Sequence, residues 1–199
     1  MNARLRRKSV PILLACLLVV VAAVIGRHAV DRPAATPVAA TDAKTVLKSS
    51  IAGSWYSDDA NELRSQIAGY LAKAQVEPKQ DILALLLPHA GYAYSGQTAA
   101  YGIESLGRSC RRVVVIGPTH RLPMEDAFSV PRATHYETPL GQIPLDVEFI
   151  GKLLEYPLFQ SIPAAHQQEH SVEIEIPLLQ CKLTDFKLVP IVAGQCSYE

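Results

Sequence analysis

Two histidines stand in the same local setting. The apolar run from Ile82 to Leu87 leads into Pro88-His89-Ala90-Gly91-Tyr92, and the run from Val113 to Ile116 leads into Gly117-Pro118-Thr119-His120. Each run reads as a buried strand that delivers a histidine just past its C-terminal end. In α/β sheets that edge is where ligands and catalytic groups collect, because its loops form a crevice over a rigid base. Two imidazoles there point to a metal site or to acid–base chemistry.

A third candidate, His170, lies in Glu169-His170-Ser171-Val172-Glu173. On a helix, Glu173 would share its face and orient the imidazole; the alternative is a plain helix N-terminus capped by Ser171. Around His89, Gly91 and Gly96 are expected to allow a close backbone approach or a positive φ. Tyr92 and Tyr94 are expected either to line a substrate pocket or to pack beneath the loop. Trp55 reads as a core residue, and His135 and His166 as surface residues.

The elements that must hold these groups follow from period and punctuation. Ser57-Asp58-Asp59 offers N-caps to a helix carrying Leu63, Ile67, Tyr70, Leu71 and Ala74. Strand 82–87, a glycine-bearing loop, a helix with Ala99, Ala100, Ile103 and Leu106, and strand 112–116 make a parallel β–α–β crossover. Ala127–Val130 and Thr138–Ile143 suggest short strands, as in a hairpin across the crevice mouth. Asp146 caps a helix with Val147, Ile150, Leu153 and Leu154 on one face. A further helix starts near His170 and carries Ile174, Leu178 and Cys181, bent or shortened by Pro177. The stretch from Lys187 to Gly194 closes with a strand. The class is α/β, a mostly parallel sheet flanked by helices.

Charge is distributed unevenly. Residues 1–50 hold 8 Lys/Arg against 2 Asp/Glu, and residues 51–199 hold 11 against 17. An acidic globular part argues against a nucleic-acid binder, which needs a basic footprint. Arg4, Arg6, Arg7 and Lys8 precede an uncharged apolar run from Val10 to Ile25, which reads as a membrane-targeting segment. The expected organisation is therefore an anchor or signal segment over 1–27, a flexible Ala/Pro/Thr-rich tether over 28–50 and a domain over 51–199. The positive-inside rule would place that domain on the extracytoplasmic side, membrane-anchored or, after cleavage, secreted or periplasmic. Cys16, Cys110, Cys181 and Cys196 show no CxxC spacing, so neither a zinc knuckle nor a disulfide framework is signalled; one isolated disulfide is compatible with export.

Five ordered motifs carry a family resemblance: Ala52-Gly53-Ser54-Trp55-Tyr56, Pro88 to Gly96, Gly117-Pro118-Thr119-His120, Tyr136-Glu137-Thr138-Pro139-Leu140-Gly141, and Glu169 to Glu173. In order and spacing residues 51–199 resemble the Memo family, known in prokaryotes as AmmeMemoRadiSam system protein B. The resemblance implies the fold of class III extradiol dioxygenases and a metal pocket that uses His89 and His120. It also implies a cysteine ligand and an Asp/His pair from a C-terminal half that this sequence does not contain. The expectation is thus of a truncated domain with an unpaired, aggregation-prone sheet edge. Cys196 follows a strand end but does not fall in the family's cysteine motif.

On this reading His89 and His120 are the metal ligands, and His89, His120 and His170 the candidate catalytic residues. Fe(II) is the implied cofactor, with copper as the alternative because thiolate softness favours it. Three functions are implied: a metal-dependent, dioxygenase-like oxidoreductase; a non-catalytic module for a peptide or small anion; and an accessory to radical-SAM and AMMECR1-like proteins. The expected partners are a small molecule or peptide and, through the N-terminal segment, a membrane.

Overall fold

A computed structural model of the protein describes residues 43–79, 82–107 and 110–197. The chain divides after Ala40, and the described residues all belong to the second unit. The apolar segment expected to act as an anchor lies outside them, as does most of the expected tether. Among the described residues no helix is long and apolar enough to cross a membrane.

In chain order the elements are β1 (Val46–Lys48), α1 (Ala60–Ala74), a π-helical turn (Tyr92–Gly96) running into α2 (Gln97–Glu104), β2 (Arg112–Pro118) and β3 (Phe128–Ser129). They continue with β4 (His135–Thr138), β5 (Gly141–Pro144), α3 (Val147–Leu153), β6 (Phe159–Gln160) and α4 (Pro163–Gln167). The last are α5 (His170–Glu173), α6 (Ile176–Lys182) and β7 (Lys187–Ala193).

Two sheets result. One has the order β1-β4-β5 and the other β2-β7-β3-β6. Pairs β1–β4, β2–β7 and β3–β6 are parallel; β4–β5 and β3–β7 are antiparallel. The class is α/β as expected, with mixed sheets flanked by helices. The hairpin β4–β5 forms, but it joins β1 rather than lying across a crevice mouth. Because β1 pairs with β4 through Val46 to Lys48, the packed unit begins before Ile51, inside the expected tether.

Local chemistry accounts for several boundaries. Asp59 caps α1, its carboxylate accepting from the backbone N–H of Asn61 and Glu62 at 2.8 and 2.9 Å. Asp146 caps α3 by accepting from Phe149 N–H and also receives Arg112 Nε at 2.6 Å, tying α3 to β2. On α3 only part of the expected apolar face is used, since Ile150 is buried while Val147 is exposed. The helix expected from His170 breaks into α5 and α6 because Pro177 begins a new helix instead of continuing one.

Strand β7 is the centre of the larger sheet. Leu188 to Val192 are all buried, the continuous apolar run of a strand covered on both faces. Its neighbour β2 alternates, with Val113 and Val115 turned toward the core and Val114 and Ile116 exposed. Residues 82–87, expected to be a strand, form none. Apolar composition sets a preference for strand, but a strand exists only where a neighbouring ladder accepts its backbone groups. Helix α2 packs beneath this segment, so close that a Cβ on Gly102 would collide with Leu87.

Candidate metal centre

Three chain segments converge on one point. His89 follows the 82–87 segment, His120 lies two residues past the end of β2, and His170 opens α5. One nitrogen from each can be chosen so that all three lie within 4.8 Å of one another. The rings of His120 and His170 stack at 4.4 Å between centroids, and His89 stands 5.3 and 5.8 Å from them. His120 follows a strand while His89 follows a segment that forms none, and both lie beside His170.

The approach of α5 to β2 depends on Gly117. A Cβ there would collide with the Ser171 side chain and lie 2.9 Å from the Ser171 carbonyl carbon. With only hydrogen in that position, Ser171 Oγ donates to Pro118 O at 2.9 Å and fastens the start of α5 to the end of β2. Thr119 N–H donates to Ala193 O, fixing the other side of the turn that presents His120.

Glu169 orders the cluster. Its side chain is buried and accepts from the backbone N–H of His120 at 2.6 Å and of Ser171 at 2.9 Å. Its Oε1 also lies 2.9 Å from His120 Nδ1. Burial alone would raise this carboxyl, but the hydrogen bonds from Ser171 and His120 outweigh it and hold the pKa down at about 2. An ionised carboxylate can only accept, so His120 Nδ1 is the donor of this hydrogen bond.

His170 is nearly buried, and its Nδ1 has no hydrogen-bond partner. The nearest acceptor, Glu169 Oε1, is 3.4 Å away. Burial pushes its pKa down, and the neighbouring His120 and His89 act in the same direction against the pull of Glu169. Trp55 lies against its ring at 4.2 Å and is half-buried, packing against the core while also forming a wall of the site.

A cleft of about 790 Å³ opens beside His89 and His170, lined by Trp55, Pro88, Gly91 and Tyr94 among others. Tyr94 is exposed on its rim. Tyr92 takes the other expected role: it is buried under the loop and donates from its hydroxyl to Ile174 O at 3.0 Å. Gly96 makes a close approach to Tyr70, and neither Gly91 nor Gly96 has a positive φ.

Other sequence expectations need correction. Glu173 does not orient His170. It is fully buried and accepts from Ser49 Oγ, from Ser50 N–H at 2.8 Å, from Ser50 Oγ at 3.0 Å, from Ile51 N–H at 3.2 Å and from Tyr56 OH at 2.7 Å. The carboxylate that orients an imidazole of the cluster is Glu169, and it acts on His120, not His170; it also caps α5 where Ser171 was expected to do so. Glutamate immediately before a helix-opening histidine was the available signal. His166 is buried rather than on the surface, with Nε2 3.0 Å from Ser129 Oγ, and His135 is half-buried. Cys196 is exposed and outside the histidine cluster. Among the described residues Cys110, Cys181 and Cys196 are free thiols.

Comparison with known proteins agrees with the geometry. The family described as Memo-like protein matches residues 48–199. A MEMO1 family protein of Aquifex aeolicus is 35% identical over 158 residues, covering 77% of this chain and 57% of that protein. The MEMO1 family protein MHO1 of Saccharomyces cerevisiae is 37% identical over 168 residues, 74% of this chain and 49% of its own length. Protein MEMO1 of Homo sapiens is 30% identical over 156 residues, 75% and 52%. The chain thus spans about half the length of the curated relatives it matches. The expectation of a membrane-anchored or exported domain is corrected here: the described residues contain no membrane-spanning helix, and the family match falls on proteins whose names carry no membrane anchor. Motifs, fold and matched residues agree, and the chain belongs to the Memo-like family.

Proposed function

We propose that this chain binds one metal ion through His89, His120 and His170, as the basis of a redox function. The observation that carries the proposal is the cluster itself, three imidazole ligand atoms within 4.8 Å of one another. Three protein ligands with open positions are what a mononuclear catalytic centre requires. The unpartnered, buried Nδ1 of His170 supports the reading, because a polar atom out of water needs a partner and a cation would supply one. So does Glu169, which sets the His120 tautomer as an outer-sphere carboxylate does for a metal-binding histidine.

Neutral imidazoles suit iron and copper, and the family resemblance favours Fe(II). A bound iron would supply Lewis acidity and open positions for dioxygen and a substrate oxygen. The residues of the chain do the rest. Glu169 fixes His120, Trp55 holds the plane of His170, and the cleft walled by Trp55, Pro88 and Tyr94 accepts a flat apolar ligand beside the histidines.

The test is metal content of the purified 199-residue chain after anaerobic loading with iron or copper, beside His89→Ala, His120→Ala and His170→Ala. One ion per chain in the wild type and loss in each variant is the expected result, followed by oxygen uptake with a catechol. A wild-type chain that retains no metal but binds a peptide would instead establish the non-catalytic module.

A further inference from the structure

A separate cavity lies away from the metal centre, and none of the residues that line it borders the cleft beside His89 and His170. It measures about 360 Å³, near the lower limit for pockets that hold small molecules. Val46 and Leu47 of β1 form one side, Pro131 and Arg132 of the β3–β4 connection another, and Pro163 and His166 of α4 the third. Strand β1 belongs to the smaller sheet, while α4 follows β6 of the larger one, so the cavity spans the two sheets.

Hydrogen bonds fix these walls in the chain alone. On the β1 side, Thr45 N–H donates to Thr134 Oγ1 at 3.0 Å and Thr134 N–H donates to Thr45 O at 2.9 Å. On the α4 side, the fully buried Ser129 accepts from Ile162 N–H at 3.1 Å, and its Oγ lies 3.0 Å from His166 Nε2. Held in this way, His166 is only 5% exposed yet still borders the cavity. A site whose walls are already ordered loses little freedom when a ligand enters.

The lining contains one full positive charge and no carboxylate. Arg132 carries that charge; it is exposed and, among the described residues, enters no salt bridge. His166 is uncharged near neutral pH, because burial holds its pKa at about 4. One guanidinium balances one negative charge, and it matches a planar carboxylate through two parallel hydrogen bonds. Phosphate or sulfate would need more donors and would press polar oxygens against Val46, Leu47 and the two prolines. We infer that this cavity binds a small monocarboxylic acid, its carboxylate on Arg132 and its apolar body among Val46, Leu47, Pro131 and Pro163, beside the His166 ring. This inference does not depend on metal binding.

The experiment titrates hexanoate into the metal-free 199-residue chain, followed by calorimetry and NMR. The expected result is one saturable site with a Kd of about 1 mM or tighter, which a ligand of this size can supply. The His166 ring and Leu47 methyl signals are expected to shift, and the Trp55 indole signal to stay in place. Arg132→Leu, a change at an exposed position, is expected to weaken binding about tenfold or more while leaving the melt unchanged. Hexanamide, the same body without the charge, is expected to bind the wild type as weakly, and Arg132→Lys to recover part of the affinity for hexanoate. Failure to saturate, equal affinity for hexanoate and hexanamide, undiminished binding by Arg132→Leu, or shifts at Trp55 in place of His166 would each overturn the inference.

Discussion

Glu169 grips His120 twice, through the backbone N–H at 2.6 Å and through ring Nδ1 at 2.9 Å. The same side chain caps α5, whose first residue is His170. One carboxylate therefore fixes the loop, the tautomer and the helix that bring two of the three imidazoles together. Glu169→Ala is expected to lower iron affinity about 10–100-fold, the usual effect of losing the carboxylate behind a ligating histidine. Metal titration of the anaerobic chain measures this, and an unchanged affinity would remove Glu169 from the site.

Gly117 is expected to tolerate no side chain. The Cβ of Gly117→Ala would overlap Ser171, forcing α5 away from β2 at a cost of about 1–3 kcal/mol. Since His120 and His170 sit on the two displaced segments, metal retention should fall together with the melting temperature. A variant that melts lower but binds normally would show that the three histidines are placed independently of this contact.

The Glu173 carboxylate joins the 49–56 segment to α5 and is the acceptor for several buried or half-buried donors. Glu173→Ala leaves those donors without a partner and is expected to destabilise the fold by about 3–5 kcal/mol. Urea denaturation checks the magnitude. A loss under about 1 kcal/mol would mean that water replaces the carboxylate without penalty.

Stability against pH should carry two opposed contributions. His166 is held by burial at a pKa of about 4, below its ordinary value, so its contribution is present above about 6.5 and is lost as pH falls toward 4. Glu175 is raised by burial to about 7, so its contribution is present below about 4.5 and is lost as pH rises through 7. Each shift is worth roughly 3 kcal/mol, and they offset one another between about pH 4.5 and 6.5. In the metal-free chain, His166→Asn should make stability fall as pH rises through this window, and Glu175→Gln should make it rise. Thermal melts at half-unit pH steps test both slopes. Below about pH 4.5 protonation of Glu169 should remove further stability in wild type and both variants, because its depressed pKa stabilises the fold only while the carboxylate is ionised.

Much of this molecule was legible in local pattern. The cap at Asp59, the faces of α1 and α2, the cap at Asp146 and the strand from Lys187 follow from side-chain period and capping chemistry, which act over a few residues. The strand expected at 82–87 failed for the opposite reason. Its composition favours extended chain, but pairing depends on a partner distant in sequence. The short strand β1 escaped notice because three residues carry no period, and the buried His166 because burial of a histidine depends on the serine brought beside it in space.

The site divides in the same way. Residue types and their positions after apolar segments pointed to His89 and His120 as members of one centre, although in the fold only His120 follows a sheet strand and the 82–87 segment before His89 forms none. Tertiary structure alone decided that His170 completes the cluster, that Glu169 rather than Glu173 faces the imidazoles, and that Trp55 forms a wall. Those outcomes depend on how closely α5 can approach β2. That distance is set by a missing Cβ at Gly117 and by the hydrogen bond from Ser171 to Pro118, contacts between residues more than fifty positions apart, which neither period nor spacing can encode.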